Sequence, residues 1–395
     1  TFSIRQWRCE PLNKIRMGMV GGGPDAFIGA IHRMAANLDG NIELVCGAFS
    51  RDAGRSKDFG AYLGLNPNRV YENFDSMFST EAKLPENERM QFVSVVTPNN
   101  SHYEIVDAAL THGFHVMCDK PATLTLQESR QLQASIIDTG LLFGLTHTYT
   151  GYPMVKEARI RIERGDLGPI RKVVTEYHQG WLAKKVVDES SKQAAWRLDP
   201  EQAGVSCCMG DIGVHAANLA EYITGLEISE IFADLGEVED LRQLDDDGTV
   251  LLRFGNGVRG VLMASQISLG EENCLRIRVY GDKGALEWQQ EEPNTLLLKW
   301  GDEPVQILRA GQGYLSEEAL QNSRTPPGHP EGYIEAFANL YVGFATAISD
   351  RESGDVNAVP LDVPGINAAI RGMAFIEQVA TNSAEGGRWE VLSVE

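Results

Sequence analysis

The sequence contains no apolar run of about 18 residues, the length that a membrane-spanning helix requires. Its first residues also lack the apolar core and the small-residue cleavage site of a signal peptide. Basic residues are few: 35 Lys and Arg stand against 55 Asp and Glu, which gives a formal net charge of −20. We therefore expect neither a membrane protein nor a secreted one, and the acidic surface disfavours binding to nucleic acid or to anionic lipid.

Cysteine is also scarce, since the chain of 395 residues has 6, and no two of them have the C-x-x-C spacing. Most lie inside apolar runs, and Cys207 and Cys208 are adjacent. This distribution indicates reduced cysteines and a cytoplasmic location, and we predict no metal site. The apolar share of 43% and the charged share of 23% are those of an ordinary globular protein. The length indicates about two or three domains.

The first 147 residues alternate short apolar runs with helical patterns. Runs such as "KIRMGMV", "IELVCGAF" and "QFVSVV" are separated by amphipathic stretches such as "FIGAIHRMAANL". Continuously apolar strands are typical of a parallel sheet that helices cover on both faces. The sequence therefore predicts a Rossmann domain, a doubly wound α/β fold with a parallel sheet, over residues 1–147.

Residues 148–395 contain strands of alternating polarity instead, such as "VLLRFGNGVRGVLMASQIS" and "LRIRVYGDKGALEWQQ". We predict that this part is an α+β domain with a large, mostly antiparallel, open sheet. Helices would cover one face of the sheet, whereas no remaining element would pack on the other. A second copy of the chain is the simplest cover, so we expect a homodimer or homotetramer that forms through this sheet.

A glycine-rich turn, "GMVGGGPDAFIGAIHR", directly follows the first predicted strand and precedes a helix. This order is typical of a dinucleotide-binding unit, in which glycines allow a tight turn and the helix N-terminus faces a pyrophosphate. The residues expected to contact the cofactor here are Gly21, Gly23, Phe27 and Ile28. The third position of the fingerprint is open, because it falls on Ala26 by strict counting but on Gly29 if the turn is about three residues longer.

The second strand ends in "GAFSRDAGRS", where a dinucleotide-binding fold commonly has an acid that binds the ribose 2′-hydroxyl of NAD. Ser50 stands at that position, and Arg51 and Arg55 follow it. A small hydroxyl with arginines nearby accepts a 2′-phosphate, which favours NADP slightly over NAD. Asp52 is either an alternative ribose ligand or the N-cap of the next helix.

Polar side chains also follow the next three strands, in "VVTPNNSH", "VMCDKPATLT" and "LTHTYTGYP". Ligands of such folds bind beyond the carboxyl ends of the strands, so we expect these groups to converge there, although each alone is compatible with an ordinary turn. The expected cofactor contacts are Thr97, Asn99, His102, Asp119 and Lys120, and the expected substrate contacts are His147 and Tyr149.

The stretch "CMGDIGVHAANLAEY" places Asp211 and His215 four residues apart among small and apolar residues. On an α-helix these two side chains would share one face, and a carboxylate beside an imidazole can transfer protons. In the alternative interpretation, Asp211 caps the N-terminus of the helix and His215 is a half-buried core residue.

The order of these motifs resembles that of the glucose-fructose oxidoreductase, inositol dehydrogenase and MocA family (Gfo/Idh/MocA). The resemblance rests on the glycine turn running into "FIGAIH", the "TPN" strand end, the "DKP" sequence and the D-x-x-x-H pattern. It implies NAD(P)-linked alcohol or carbonyl chemistry on sugars and cyclitols, and a C-terminal sheet domain that oligomerises. By the same resemblance, Lys120 is the active-site lysine, and Asp211 and His215 are the remaining catalytic pair. Asp119 departs from the family's more usual glutamate.

We therefore predict an NAD(P)-dependent dehydrogenase acting on a secondary alcohol of a sugar, glycoside or cyclitol. Alternatives are a reductase of another carbonyl or imine, of the dihydrodiol or biliverdin reductase type, and a nucleotide-sensing protein without turnover. Tryptophans can stack on a pyranose, and polar side chains can bind its hydroxyl groups. The further candidate substrate contacts are Trp181, Trp196, Arg197 and His329.

Overall fold

A computed structural model describes residues 14–24, 26–183, 199–238, 242–354 and 361–395 of the chain. The described residues form two compact units. The parallel-sheet unit comprises residues up to 148 together with residues 337–370. The large-sheet unit comprises residues 149–336 and 371–395.

Five parallel strands, in the order β2-β1-β3-β4-β5, form the centre of the parallel-sheet unit. All residues of β3 and β4 are buried, which is why both strands are apolar in the sequence except for Ser94 and His115. The strand order reverses between β1 and β3, and the crevice beyond their carboxyl ends is where such folds bind ligands. The predicted doubly wound α/β fold is confirmed. The strands are β1 (Ile15–Gly21), β2 (Ile42–Ala48), β3 (Phe92–Val96), β4 (His115–Cys118) and β5 (Phe143–Leu145).

Helices connect these strands, and local sequence signals set several of their ends. The last of them begins at a capping box, in which Thr125 and Glu128 each accept a hydrogen bond from the other's backbone N–H, and it ends at Gly140 in a left-handed conformation. The helices are α1 (Phe27–Leu38), α2 (Ala53–Tyr62), α3 (Phe74–Glu81), α4 (His102–Thr111) and α5 (Leu126–Thr139).

Residues from far along the chain complete the core of this unit. Phe344, in helix α10 (Tyr333–Ser353), packs edge-on against Phe92 of β3 with 5.5 Å between the ring centroids. Ala369, in helix α11 (Ile366–Ala384), belongs to the hydrophobic core of the same unit. The predicted boundary between residues 147 and 148 did not include this return of the chain, which groups residues 337–370 with the N-terminal sheet.

The large-sheet unit contains a nine-stranded sheet in the order β13-β12-β11-β10-β6-β9-β8-β7-β14. Strand β6 pairs parallel with β9, whereas the other neighbours pair antiparallel. The predicted large and mostly antiparallel sheet is confirmed. The strands are β6 (Ile170–His178), β7 (Ile228–Gly236), β8 (Asp247–Phe254), β9 (Arg259–Ser265), β10 (Cys274–Gly281), β11 (Gly284–Gln289), β12 (Thr295–Trp300), β13 (Gln306–Arg309) and β14 (Glu390–Val391).

The two faces of this sheet differ in burial. On β8, Val250 and Leu252 are fully buried, whereas Leu251 between them is 40% exposed. The same alternation recurs along β6, β9 and β10, as expected for strands with one covered face. The further helices of the unit are α6 (Pro153–Glu163), α7 (Pro200–Ala203), α8 (Val214–Thr224) and α9 (Glu317–Gln321).

Among the described residues, no helix combines the length and the apolar character that crossing a membrane requires. None of the five cysteines in the described ranges is in a disulfide. Four of them are buried and Cys274 is partly exposed.

Candidate functional site

The glycine turn after β1 is a tight loop that side chains would obstruct. Gly21 and Gly22 have φ angles of 85° and 67°, in the left-handed region that favours glycine. A Cβ atom on Gly29 would lie 2.3 Å from the Cα atom of Gly22, and one on Gly23 would lie 2.7 Å from the Phe49 carbonyl oxygen. Gly29 is therefore the residue that lets α1 pack on the turn, which settles the third position of the fingerprint in favour of the longer turn.

The N-terminus of α1 follows this turn, and its N-cap residue, Ala26, supplies no side-chain hydrogen bond to it. Arg33, in the second turn of α1, donates from Nη1 to the carbonyl oxygen of Gly22 at 2.6 Å and so stabilises the glycine turn. The backbone amides of Phe27 and Ile28 lie in the first turn, where an anion is stabilised by the helix dipole. The glycine cradle and the helix end together fit the pyrophosphate of a dinucleotide. Sequence reasoning missed Arg33, which no motif distinguishes from a surface arginine.

The segment after β2 contains Ser50, Arg51, Asp52 and Arg55, which are the sequence-based candidates for the ribose end of the cofactor. The Asp52 carboxylate accepts a hydrogen bond from the Arg55 backbone N–H at 2.9 Å and is the N-cap of α2. The backbone N–H of Asp52 donates in turn to Ser50 Oγ at 3.1 Å. Of the two roles considered for Asp52, the structure therefore shows the helix cap. Arg51 and Arg55 are exposed.

His102 links the loops that follow β3 and β4. Its Nε2 atom lies 2.8 Å from the Thr97 carbonyl oxygen, and its Nδ1 atom lies 2.7 Å from the Pro121 carbonyl oxygen. The imidazole is buried, as is Asn99. His102 thus engages backbone oxygen atoms through both ring nitrogens and holds the two loops at a common position.

Asp119, Lys120 and His147 come together at the carboxyl ends of β4 and β5. One oxygen of the Asp119 carboxylate, Oδ1, accepts hydrogen bonds from the Lys120 backbone N–H at 2.8 Å and from Thr146 Oγ1 at 2.9 Å. His147 is buried, and burial, reinforced by the positive charge of Lys120, lowers its pKa from 6.5 to about 3. His147 is consequently neutral near pH 7 and faces the positive charge of Lys120.

In the large-sheet unit, Asp211 and His215 do not lie on one regular α-helix. A π-helical turn, Met209–Gly213, contains Asp211 and runs directly into α8, which contains His215. The regular α-helix predicted for this stretch therefore begins only at Val214, and the turn before it is the wider π type. Turns of this type are frequent at functional sites. Asp245 fixes the start of the turn, since its carboxylate accepts from the backbone N–H groups of Cys207 and Met209, each at 2.9 Å.

The Asp211 carboxylate contacts a side chain that directly follows β9 rather than a helix end. Its Oδ2 atom accepts a hydrogen bond from Gln266 Nε2 at 3.0 Å, and Gln266 Oε1 accepts in turn from Cys207 Sγ at 3.4 Å. The N-cap of α8 is Gly213, without a side-chain hydrogen bond. The alternative role of Asp211 as a helix cap is therefore not what the structure shows. Gln266 is fully buried and was not singled out by the sequence.

His215 lies in a cluster of aromatic hydroxyl groups. Its ring meets Tyr149 edge-on with 4.9 Å between centroids, and the Tyr177 ring lies 6.5 Å away. The hydroxyl groups of Tyr149 and Tyr177 are hydrogen-bonded, and Tyr177 donates to Asn273 Oδ1 at 2.7 Å. Burial raises the pKa of Tyr149, and the negative charge of Asp211 raises it further. Asp211, His215 and the two tyrosines thus form one cluster, in which Tyr149 is buried.

The remaining predicted substrate contacts are dispersed. Trp181 is 39% exposed, and its Nε1 atom donates to Gln179 Oε1 at 2.9 Å. Gln179 Nε2 donates to Asn273 Oδ1 at 2.7 Å, so Trp181 is connected to Tyr177 through two side chains, those of Gln179 and Asn273. His329 is exposed, with Nδ1 3.2 Å from the Pro326 carbonyl oxygen. Trp196 and Arg197 lie outside the described residues.

Two family models match most of the chain. Residues 15–147 match an oxidoreductase family with an NAD-binding Rossmann fold, and residues 155–287 match the GFO/IDH/MocA C-terminal domain. The chain is 36% identical over 379 residues to the uncharacterized oxidoreductase YfiI of Bacillus subtilis, covering 95% of this chain and 96% of the relative. It is 25% identical to the levoglucosan dehydrogenase of Pseudarthrobacter phenanthrenivorans, over 81% of this chain and 83% of that enzyme.

A crystal structure of an inositol dehydrogenase homologue from Azotobacter vinelandii, complexed with NADH and myo-inositol, is similar along nearly its whole length. The TM-score is 0.90 at 36% identity, and the alignment covers 96% of this chain and 97% of the other. The N-terminal family model matches the residues of the parallel sheet, and the C-terminal family model matches part of the large-sheet unit. The resemblance seen in the motifs is confirmed. The chain belongs to the Gfo/Idh/MocA family of oxidoreductases and has its NAD-binding Rossmann domain.

Proposed function

We propose that this protein is an NAD(P)-dependent dehydrogenase that removes a hydride from a secondary alcohol carbon of a sugar, glycoside or cyclitol. The observation that carries the proposal is the position of Lys120, which follows β4 beside the Asp119 carboxylate, in a sheet whose first strand is followed by a tight glycine turn. The relatives that act on levoglucosan or hold myo-inositol support the substrate class.

When bound, the nicotinamide would accept the hydride. The side chains of this chain would accept the hydroxyl proton and stabilise the charge on the oxygen. A hydroxyl group that loses hydride from its carbon must also lose its proton, and a neutral imidazole can accept it. We assign this role to His215. The Lys120 ammonium donates a hydrogen bond to the reacting oxygen and stabilises the negative charge that develops there. Asp211, held by Gln266, orients the imidazole or binds a neighbouring hydroxyl group.

A spectrophotometric screen tests the proposal. Each of NAD and NADP is offered with a panel of pyranoses, glycosides and inositols, and the absorbance of the reduced nicotinamide is followed. We expect reduction with at least one member of the panel. The contrary result is a cofactor that binds without being reduced by any alcohol, while the reduced cofactor is oxidised by a carbonyl or imine compound outside this panel. That result would contradict the proposal and indicate a reductase of another substrate class. Binding with no turnover in either direction would indicate a sensor.

The choice of cofactor is the second part of the proposal. Because Ser50 rather than an acid lies two residues beyond the end of β2, and because Arg51 and Arg55 are exposed after it, we predict that NADP binds at least as tightly as NAD. Calorimetric titration of both cofactors measures this directly. A dissociation constant for NADP clearly above that for NAD would contradict the prediction.

Two variants of Ser50 identify the cause of the preference. In Ser50→Asp, a carboxylate at the strand end would repel a 2′-phosphate and could accept from the ribose hydroxyl groups, so NADP should bind about tenfold more weakly or worse while NAD binding is kept. Ser50→Ala removes the hydroxyl group without adding charge and is the matched control. Equal loss of NADP binding in both variants would mean that the hydroxyl group, and not the absence of an acid, sets the preference.

The third part of the proposal is self-association through the open face of the nine-stranded sheet. Leu251, Val261 and Val174 form a cross-strand apolar row on that face. Two carboxylates on that face are paired with cationic side chains, since Glu287 pairs with Arg276 and Lys299, and Glu176 pairs with Arg278. In a two-fold symmetric contact the same face meets itself, which an unpaired acidic face of this chain of charge −20 would oppose and a face with these ion pairs permits. A second copy of the chain is therefore the partner that we propose.

Light scattering at micromolar concentration should give the mass of a dimer or a tetramer. Leu251→Lys places a charge in the apolar row and should shift the mass towards the monomer. Ile137→Lys is the matched control, because Ile137 is 71% exposed on α5 and lies outside the sheet. A monomeric mass for the unmodified chain would contradict the proposal, and so would an equal effect of the two variants.

A further inference from the structure

His32, on α1, is a buried imidazole that the proposed mechanism does not use. Its Nδ1 atom lies 2.6 Å from the Tyr341 hydroxyl oxygen and 3.3 Å from Ser94 Oγ. Its Nε2 atom lies 3.9 Å from Oδ2 of Asp119, and this nitrogen has no hydrogen-bond partner within the part of the chain that the structure describes. The ring is fully buried, with Phe337 edge-on against it at 4.6 Å between centroids.

The surroundings of the ring determine its charge. Burial is the main cause that lowers the pKa of His32 from 6.5 to about 4, and the Asp119 charge opposes this only in part. Near pH 7 the ring is therefore neutral and carries one proton on one of its two nitrogens.

The position of that proton follows from the two neighbours. Burial raises the pKa of Tyr341, so its hydroxyl group keeps its proton and can donate to Nδ1. A carboxylate oxygen facing the lone pair of Nε2 would be repelled, whereas it attracts an N–H group. The Asp119 carboxylate therefore favours the tautomer with the proton on Nε2, and the Tyr341 hydroxyl group, which also lies 2.8 Å from Ser94 Oγ, can donate to Nδ1 in that tautomer. A polar atom that is buried and unpaired is costly, which gives the Nε2–H group a reason to approach Asp119.

We infer that His32 is a positioning residue, which holds the Asp119 carboxylate through Nε2–H and thereby fixes the backbone of Lys120. Asp119 has two oxygens: Oδ1 binds the Lys120 N–H and Thr146, and Oδ2 faces His32. The remaining gap between Nε2 and Oδ2 is about 1 Å longer than a hydrogen bond, and bonds of this kind often shorten when a site is filled. The inference rests on the proposed role of Lys120.

The tautomer is measured on the unmodified protein. Nuclear magnetic resonance spectra that correlate the ring nitrogens with the carbon-bound ring protons distinguish Nε2–H from Nδ1–H, and the His32 signals are those missing from His32→Gln. We expect the neutral Nε2–H form near pH 7. A ring protonated on Nδ1, or on both nitrogens, would overturn the inference whether or not the proposed function is correct.

The effect on turnover is measured with two variants of His32. Glutamine can place an N–H group near the position of Nε2, whereas leucine cannot. His32→Leu should lower kcat about tenfold with the dissociation constant of the cofactor unchanged, and His32→Gln should recover most of this loss. Equal turnover in the two variants and in the parent, with only the melting temperature lowered, would show a merely structural residue. If Lys120 itself can be replaced without loss of turnover, the proposed function fails, and the spectra still decide the tautomer.

His115→Gln is the matched control for these variants. His115 is also buried in the parallel-sheet unit, burial lowers its pKa from 6.5 to about 4, and its Nδ1 atom accepts from the Leu142 backbone N–H at 3.0 Å. We expect this substitution to lower the melting temperature without changing kcat. A loss of kcat as large as that in His32→Leu would mean that any damage to a buried histidine of the unit slows turnover, and would remove the support for a specific link to Asp119.

Discussion

Replacement of His215 by alanine should lower turnover by about a hundredfold or more, because the hydroxyl proton would lose its acceptor. Cofactor binding should be unchanged, since His215 belongs to the large-sheet unit and not to the Rossmann domain. Steady-state kinetics, cofactor titration and thermal unfolding on one preparation measure the three quantities. The alanine also removes the edge-on contact with Tyr149, so a modest decrease in melting temperature is expected beside the kinetic effect.

If His215 is only a core residue, its replacement should affect the stability of the protein and not its turnover. In that case His215→Ala would melt at a lower temperature, and the folded fraction would turn over at the parent rate from mildly acidic to mildly alkaline pH. His112→Ala provides a control for histidine removal, because His112 is half-buried at the end of α4 and its Nδ1 atom lies near the Ala108 carbonyl oxygen. This control should keep the parent rate.

Replacement of Lys120 by methionine should also lower turnover by about a hundredfold or more. Methionine keeps most of the length of the side chain but cannot donate a hydrogen bond or carry the charge that stabilises the developing oxyanion. Lys120→Arg retains the charge in a planar group of different shape and should recover only part of the loss. Parent-like kcat in Lys120→Met would remove the lysine from the mechanism.

Lys120→Met has a second expected effect that does not depend on catalysis. The positive charge of Lys120 is the second cause, after burial, that lowers the pKa of His147 to about 3. Without that charge the protonated imidazole is less disfavoured, so the pKa of His147 should rise; burial remains, so it should stay below 6.5. Titration of His147 by nuclear magnetic resonance checks both the direction and the limit. An unchanged pKa would mean that the ammonium group does not face His147 in solution.

The sequence predicted the features that local chemistry determines. The Rossmann domain follows from strands such as β3, which is apolar except for Ser94 and is buried on both faces, and the helix N-terminus at Phe27 follows from the glycine turn before it. Predictions that required contacts distant in sequence were incomplete. Nothing local marks Gln266 as the partner of Asp211, since the two residues are 55 positions apart. The π-helical turn was also missed, because an extra residue in a helical turn leaves no mark in the pattern of small and apolar side chains.

His32 shows the same limit for a single residue. In "FIGAIHRMAANL" it occupies a position on the apolar face of an amphipathic helix, where a histidine is expected to be a core residue with its hydrogen bonds satisfied. Its neighbours come from β3, from the loop after β4 and from α10, so that the contacts with Ser94, Asp119 and Tyr341 appear only when the sheet is assembled. The spacing of apolar residues indicates that His32 faces the core, but only the folded sheet shows which groups it contacts.

The return of residues 337–370 to the parallel sheet also constrains the order in which this chain can fold. The first 148 residues contain every strand of that sheet, yet Phe92 of β3 packs against Phe344, and the Leu145 backbone N–H donates to the Pro364 carbonyl oxygen at 2.6 Å. During synthesis from the N-terminus, the strands and α1 to α5 therefore leave the ribosome well before α10 and α11, which complete the core. Until residues 337–370 have been made, about two hundred residues later, part of the apolar surface of the sheet remains exposed to water. We expect a truncated chain of 148 residues to aggregate, and the Rossmann domain to become resistant to protease only after residue 370 has emerged.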